Sequence, residues 1–114
     1  MKALIADDDP VNRDILIRML ARIGWEAEAV GDGRAAIERA GKSNFDAILL
    51  DLFMPGLDGF GTARLMRESG SRAVLIAVSG SDDDEKALGS GFDRCLWKPY
   101  TLDDLRDALK GIGA

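Results

Sequence analysis

Four stretches of the chain are nearly continuous apolar runs, and each ends at a polar side chain. Residues 2–6 (KALIA) stop at Asp7, 46–51 (DAILLD) at Asp51, 73–78 (AVLIAV) at Ser79-Gly80, and 94–97 (RCLW) at Lys98-Pro99. Strands that are apolar throughout belong in a sheet covered on both faces. Between the runs the apolar period changes to that of helices. After the helix-start signal Asp9-Pro10, Val11, Ile15, Met19 and Ile23 recur every four residues, flanked by Leu16 and Leu20, which predicts an amphipathic helix ending near Gly24. Residues 25–30 (WEAEAV) alternate, with Trp25, Ala27 and Ala29 on one side and Glu26 and Glu28 on the other, as suits a strand at a sheet edge. Further helices are expected over 34–41, about 60–68, a short one over 85–89, and one opening at Thr101 or Leu102. The last has Leu102, Leu105, Leu109 and Ile112 on its inner face. Five β-α repeats of this kind imply an α/β domain with a doubly wound parallel sheet.

A length of 114 residues fits a single domain, 1–114, with no linker, internal repeat or low-complexity segment. The run Asp82-Asp83-Asp84 reads as a solvated helix start. The formal net charge of −5 disfavours nucleic acid, which usually needs a basic face. It also fits a cluster of carboxylates built to hold a cation. The chain has no histidine, which excludes Ser-His-Asp and Cys-His catalysis, zinc sites using imidazole, and a role as phosphohistidine donor. Cys95 is the lone cysteine, so no internal disulfide is possible, and it reads as a small buried hydrophobe. No apolar run is long enough for a signal peptide or a membrane helix, so a cytoplasmic location is expected.

The chemistry-bearing residues collect at the strand ends. Asp7 and Asp8 follow the first strand, Asp51 ends the third, Ser79 the fourth and Lys98 the fifth. Open parallel sheets bind ligands at the carboxyl ends of their strands, near the switch in strand order. Three carboxylates brought together repel one another unless a cation enters. A hard dication with oxygen ligands, naturally Mg²⁺, answers that need. A cation beside a lysine and a hydroxyl also suits a phosphoryl group, whose transfer depends on positioning and charge neutralisation, and a carboxylate can be its nucleophile.

At these residues the sequence resembles the receiver domains of bacterial response regulators, over essentially the whole chain. The resemblance rests on Asp7-Asp8 after an apolar strand, Asp51-x-x-Met54-Pro55-Gly56-x-Asp58-Gly59, Ser79-Gly80 and Lys98-Pro99, all in order. It implies a flavodoxin-like sheet of five strands in the order 2-1-3-4-5. It implies a phosphorelay signalling module that accepts a phosphoryl group on Asp51, with Mg²⁺, from a histidine kinase or histidine phosphotransfer protein. By the same resemblance Asp8 is a direct Mg²⁺ ligand, Asp7 holds a metal-bound water or the metal itself, and the backbone carbonyl of Phe53 completes the protein ligands. Ser79 hydrogen-bonds a phosphoryl oxygen, Lys98 pairs with Asp51 or the phosphoryl group, and Pro99 follows a cis peptide bond. Asp58-Gly59 is read as a structural turn opening the third helix, and Leu52, Met54, Leu57 and Trp97 as packing. Pro10-Val11-Asn12-Arg13 and Gly91-Phe92-Asp93 look more like the receivers of hybrid kinases. The chain's end at Gly111-Ile112-Gly113-Ala114 leads to the expectation of a stand-alone regulator or a receiver from such a kinase.

The pattern is departed from in three places. Many receivers carry Tyr or Phe three residues before the lysine, where Cys95 stands here, and Tyr100 beyond the proline is no equivalent. Only 18 residues separate Ser79 from Lys98, about three fewer than the resemblance leads one to expect, close to one helical turn. A shortened fourth helix follows, and a monomer that does not pair through residues 83–109.

Rival readings are weaker. A receiver-fold interaction module that is never phosphorylated has no use for the full acid set. A phosphatase of the aspartyl-nucleophile type would carry a second aspartate where Phe53 stands, so turnover on an external substrate, and hence an enzyme in that sense, is not expected. A nucleotide or flavin site would need a glycine-rich loop after the first strand, where aspartates sit instead. The third departure is Phe53 itself, a bulky apolar group at the edge of the acceptor, expected to impede attacking water. Phe53→Asn should therefore shorten the lifetime of the phosphorylated form, followed by loss of the phosphoryl mass with time; an unchanged rate would contradict that role.

Overall fold

A computed structural model describes residues 1–80 and 84–113. The expectation for Asp82 and Asp83 lies outside the described residues, as does any statement about the side chain of Asp84. The elements alternate: β1 (Lys2–Ala6), α1 (Pro10–Arg22), β2 (Glu26–Val30), α2 (Gly33–Lys42), β3 (Ala47–Asp51), α3 (Gly59–Glu68), β4 (Val74–Ser79), α4 (Asp84–Gly89), β5 (Arg94–Trp97) and α5 (Leu102–Ala108). All strand pairs are parallel and the order is β2-β1-β3-β4-β5. As described, α4 has six residues, in keeping with the shortened segment.

Strand periodicity divides the core. Leu4, Ile48, Leu50, Leu75 and Ala77 face α2, α3 and α4 through Ala36, Phe60, Ala63, Met66 and Ala87. Ala3, Ile5, Leu49, Ile76 and Val78 face α1 and α5 through Leu16, Leu20 and Leu105. Successive residues of a strand point to opposite faces, so continuous apolar runs fill both layers. β2 is an edge strand, as its glutamates predict. Its Glu28 takes both Nε and Nη2 of Arg39, at 2.8 and 2.9 Å, and pairs with Lys2. The hydrogen bonds from Arg39 hold the Glu28 carboxyl below its usual value.

The buried stripe of α1 is not the one that four-residue spacing suggests. Leu16 and Leu20 are its buried residues, whereas Val11 and Ile15 are 63% and 45% exposed. With about 3.6 residues per turn, each step of four drifts by about 40° round the helix, so Val11 ends on the side opposite Leu16 and Leu20. Met19 and Ile23 remain partly buried against the core. The last helix is also shorter than its apolar pattern. Leu105 and Leu109 are buried, but α5 ends at Ala108, and Ile112 packs from the turns that follow. Nη1 of Arg94 reaches the carbonyls of Ala108 and Lys110 at 2.7 and 2.8 Å and satisfies that end.

An anchor that the sequence does not announce joins α3 to the lower end of the sheet. Arg67 donates to the carbonyls of Gly91, Ser71 and Ala73 at 3.0, 3.1 and 3.0 Å and pairs with Asp93. Asp93 in turn accepts the N–H of Leu75 at 2.8 Å.

Two helix-opening glycines let the backbone layers meet. A Cβ on Gly59 would lie 2.3 Å from the Asp51 carbonyl oxygen, and one on Gly33 would lie 2.1 Å from Oγ1 of Thr62 and 2.8 Å from the Leu57 carbonyl oxygen. Gly41, also in a helix, has nothing within 4 Å of that position. Ordinarily alanine in place of helical glycine stabilises by about 0.5–1 kcal/mol. Gly41→Ala should follow that rule, while Gly59→Ala and Gly33→Ala should destabilise by about 1–3 kcal/mol through overpacking. Urea unfolding of the three variants reads the reversal directly.

Candidate functional site

The site lies where the strand order switches. From β1 the chain moves outward to β2, returns past β1 and continues as β3, which leaves β1 and β3 as neighbours with Ala6 opposite Leu50. The residues that follow, Asp7 and Asp51, therefore emerge side by side. One carboxylate oxygen from each of Asp7, Asp8 and Asp51 can be chosen so that all lie within 4.8 Å of one another. Asp7 is buried, Asp51 half-buried and Asp8 exposed. A dication with oxygen ligands fits such a set, because it is three anionic donors converging on one point.

Local hydrogen bonds aim these groups. The Asp7 N–H donates to the Val30 carbonyl at 3.2 Å, its Oδ1 accepts the Asp9 N–H at 2.9 Å, and its carbonyl accepts from Nη1 of Arg13 at 2.9 Å. Asp9 meanwhile caps α1, accepting the Val11 N–H at 2.9 Å, which is why it does not join the cluster. Beyond β3, Oδ1 of Asp51 accepts the Phe53 N–H at 3.2 Å, and the Gly59 N–H donates to the Leu52 carbonyl at 3.0 Å. Asp58 caps α3 through the Gly61 N–H at 2.8 Å, the structural role expected of it.

Ser79 and Lys98 come from the next two strands. β3 and β4 pair Asp51 with Val78, so Ser79 stands one residue beyond and is buried. β4 and β5 pair Ser79 with Trp97, and the Lys98 N–H donates to the Ser79 carbonyl at 2.8 Å. The Lys98–Pro99 peptide bond is cis. The strand ends thus bring Asp7, Asp8, Asp51, Ser79 and Lys98 to one rim of the sheet. Phe53, two residues after Asp51, is 58% exposed, and its ring lies edge-on to Phe60 at 6.2 Å between centroids. Phe60 also meets Phe92 at 6.5 Å and lies under the Lys86 ammonium at 4.5 Å. Cys95 is partly buried against the core.

The electrostatics of the rim are those of crowded acids. Burial, foremost, raises the Asp51 carboxyl above its ordinary value; the Phe53 N–H opposes this, Asp7 and Asp8 add to it, and Lys98 opposes it. Tyr100 is pushed up to about 12 by burial and then by Asp7, so its hydroxyl stays protonated. The missed member of the site is Arg13. Its signal in the sequence is a basic residue one helical turn after Asp9, on the helix that starts at the acid pair.

A carboxyl raised in the folded state binds its proton more tightly there than in the unfolded chain. Its contribution to stability is present below the unfolded value and is lost as pH rises through the folded value. Without divalent cations, Asp51→Asn should therefore melt above the wild type at pH 7, by a few degrees at most. The difference should close below about pH 4, where the carboxyl is neutral. Thermal melts in chelator across that range test the sign.

Similarity to known proteins agrees with this geometry. The family model described as response regulator receiver domain matches residues 3–110. Sensor protein EvgS of Escherichia coli (strain K12) is 37% identical over 115 residues, covering 98% of this chain and 10% of that protein. Hybrid signal transduction histidine kinase A of Dictyostelium discoideum is 35% identical over 121 residues, covering 98% of this chain and 6% of that protein. The chain thus spans a tenth or less of the length of these two relatives. Among solved structures, the receiver domain of sensor histidine kinase PA1611 from Pseudomonas aeruginosa, with a magnesium ion coordinated in its active site cleft, superposes with a TM-score of 0.89. It is 32% identical, covering 99% of this chain and 98% of that one. With its sheet order, its rim of acids and these matches in agreement, the chain belongs to the response regulator receiver domain family.

Proposed function

We propose that this domain accepts a phosphoryl group on Asp51 from a phosphohistidine of a histidine kinase or phosphotransfer protein, in a reaction that requires Mg²⁺. The convergence of Asp7, Asp8 and Asp51 within 4.8 Å carries this reading. Asp8 and Asp51 would ligate the cation, Asp7 would hold it directly or through water, and the Phe53 carbonyl would complete the protein's share. When bound, the cation supplies neutralisation of the charge that gathers on the phosphoryl oxygens. A carboxylate oxygen of Asp51 forms the new bond to phosphorus as the donor's N–P bond breaks, and the imidazole nitrogen keeps the electron pair. Lys98 and Ser79 contact the phosphoryl oxygens from the two neighbouring strands. The magnesium ion in the PA1611 receiver supports the choice of cation.

The domain takes part in its own phosphorylation but turns over no external substrate, since Phe53 stands where a second acid/base would be needed. It acts as a cytoplasmic monomer that signals by a changed surface and binds no nucleic acid. No helix among the described residues is long and apolar enough to cross a membrane. The relatives favour a place within a hybrid kinase. Val11 and Ile15 lie exposed on α1, close in sequence to Asp8. An exposed i, i+4 apolar pair on the helix that follows the Asp7-Asp8 pair suits an apolar helix surface on the donor.

Intact mass after incubation with a small phosphodonor tests the reading. A gain of one phosphoryl group that needs Mg²⁺ and is lost in Asp51→Asn is expected. With a phosphohistidine protein as donor, Val11→Asp should slow transfer roughly tenfold, equivalent to about 1.4 kcal/mol of lost contact, while transfer from the small donor keeps its rate. No gain under any condition would leave the interaction module as the better reading.

A further inference from the structure

We infer that Arg13 is a positioning residue for the cation site: by holding the Asp7 carbonyl it sets the direction in which Asp8 presents its carboxylate. The inference rests on the proposed cation at Asp7, Asp8 and Asp51 and adds to it a group outside the ligand set. β1 ends at Ala6 and α1 starts at Pro10, so the Asp7 carbonyl lies beyond the strand and before the helix. The donor it accepts from is Nη1 of Arg13, at 2.9 Å. A peptide unit is planar, so fixing the carbonyl of Asp7 fixes the plane that leads to the Cα of Asp8.

That matters because, among the described residues, no hydrogen bond or ion pair holds the exposed Asp8 carboxylate itself. Asp7 is tied at three points, through its N–H, carbonyl and Oδ1, but Asp8 inherits its aim from the backbone. The β2–α2 turn leaves the guanidinium its place. A Cβ on Gly31 would already be 3.4 Å from Nη1. Arg13, itself in the first turns of α1, thus reaches back to the end of β1 with its guanidinium beside the turn after β2. Among the described residues Arg13 forms no ion pair with Asp7, Asp8 or Asp51; its contact is with a main-chain carbonyl. Its part is thus geometric, and outer groups that orient metal ligands typically change affinity by about 10–100-fold when removed.

The test measures Mg²⁺ affinity by isothermal titration calorimetry for the wild type, Arg13→Met and Arg13→Lys. It adds melts in chelator and phosphorylation by a small donor. Arg13→Met should raise the Mg²⁺ dissociation constant roughly tenfold, and saturating Mg²⁺ should return its phosphorylation rate to near the wild-type value. Arg13→Lys, whose ammonium can still donate to the carbonyl, should bind between the two. A lowered melting temperature in chelator with an unchanged Mg²⁺ constant would make Arg13 merely structural and overturn the inference. So would a rate that stays low at saturating Mg²⁺ with a raised KM for the donor, which would place Arg13 on the donor instead. A wild type that binds no Mg²⁺ would remove the reading beneath the inference, and the inference with it.

Discussion

Three carboxylates gathered at one point repel one another, and the architecture of this domain is what holds them there against that repulsion. The arrangement depends on one topological step: β1 and β3 are adjacent although β2 comes between them in the chain. Adjacent parallel strands of matched register deliver their next residues to the same place, so it is the register of β1 and β3 that brings Asp7 and Asp51 together. Burial first, and then the like charges of Asp7 and Asp8, push the Asp51 carboxyl above its ordinary value. A pocket that is costly to leave anionic is one that favours a cation or a phosphoryl group with its counter-ions.

Keeping this rim rigid falls to contacts some distance away. Gly59 lets the start of α3 close on the Asp51 carbonyl, and Gly33 lets α2 close on α3 at Thr62. At the opposite end of the sheet, Arg67 ties α3 to the segments before β4 and β5 with several main-chain bonds and an ion pair. These bonds satisfy carbonyls that no regular element reaches, which is where buried loops otherwise lose stability. The loop after Asp51 is therefore held between a close backbone contact above and a fixed helix end below.

The side of the domain beyond Ser79 is built differently from the pattern that the family resemblance suggests. At the usual aromatic position is Cys95, partly buried against the core. Aromatic contact is found instead from Phe53 through Phe60 to Phe92, with the Lys86 ammonium over the middle ring. Edge-to-face rings and a cation over a ring face are each modestly favourable. Together they join the loop after Asp51 to α4 and to the segment before β5.

Much of this protein can be read directly from its residues. Apolar runs ending in Asp, Ser and Lys mark a parallel sheet and its functional rim, because strands buried on both faces can carry polar groups only at their ends. The glutamates of residues 25–30 mark an edge strand, and Asp9 before Pro10 marks a cap. Tertiary structure alone decided which helix face is buried, since a four-residue repeat drifts round a helix and only packing chose Leu16 and Leu20 over Val11 and Ile15. It alone revealed the contacts made at Gly33, Gly59, Arg67 and Arg13, because each depends on a main-chain group outside the residue's own helix arriving within a few ångströms. Local sequence encodes the period and ends of each element; where the ends come to lie beside one another is a property of the packed sheet.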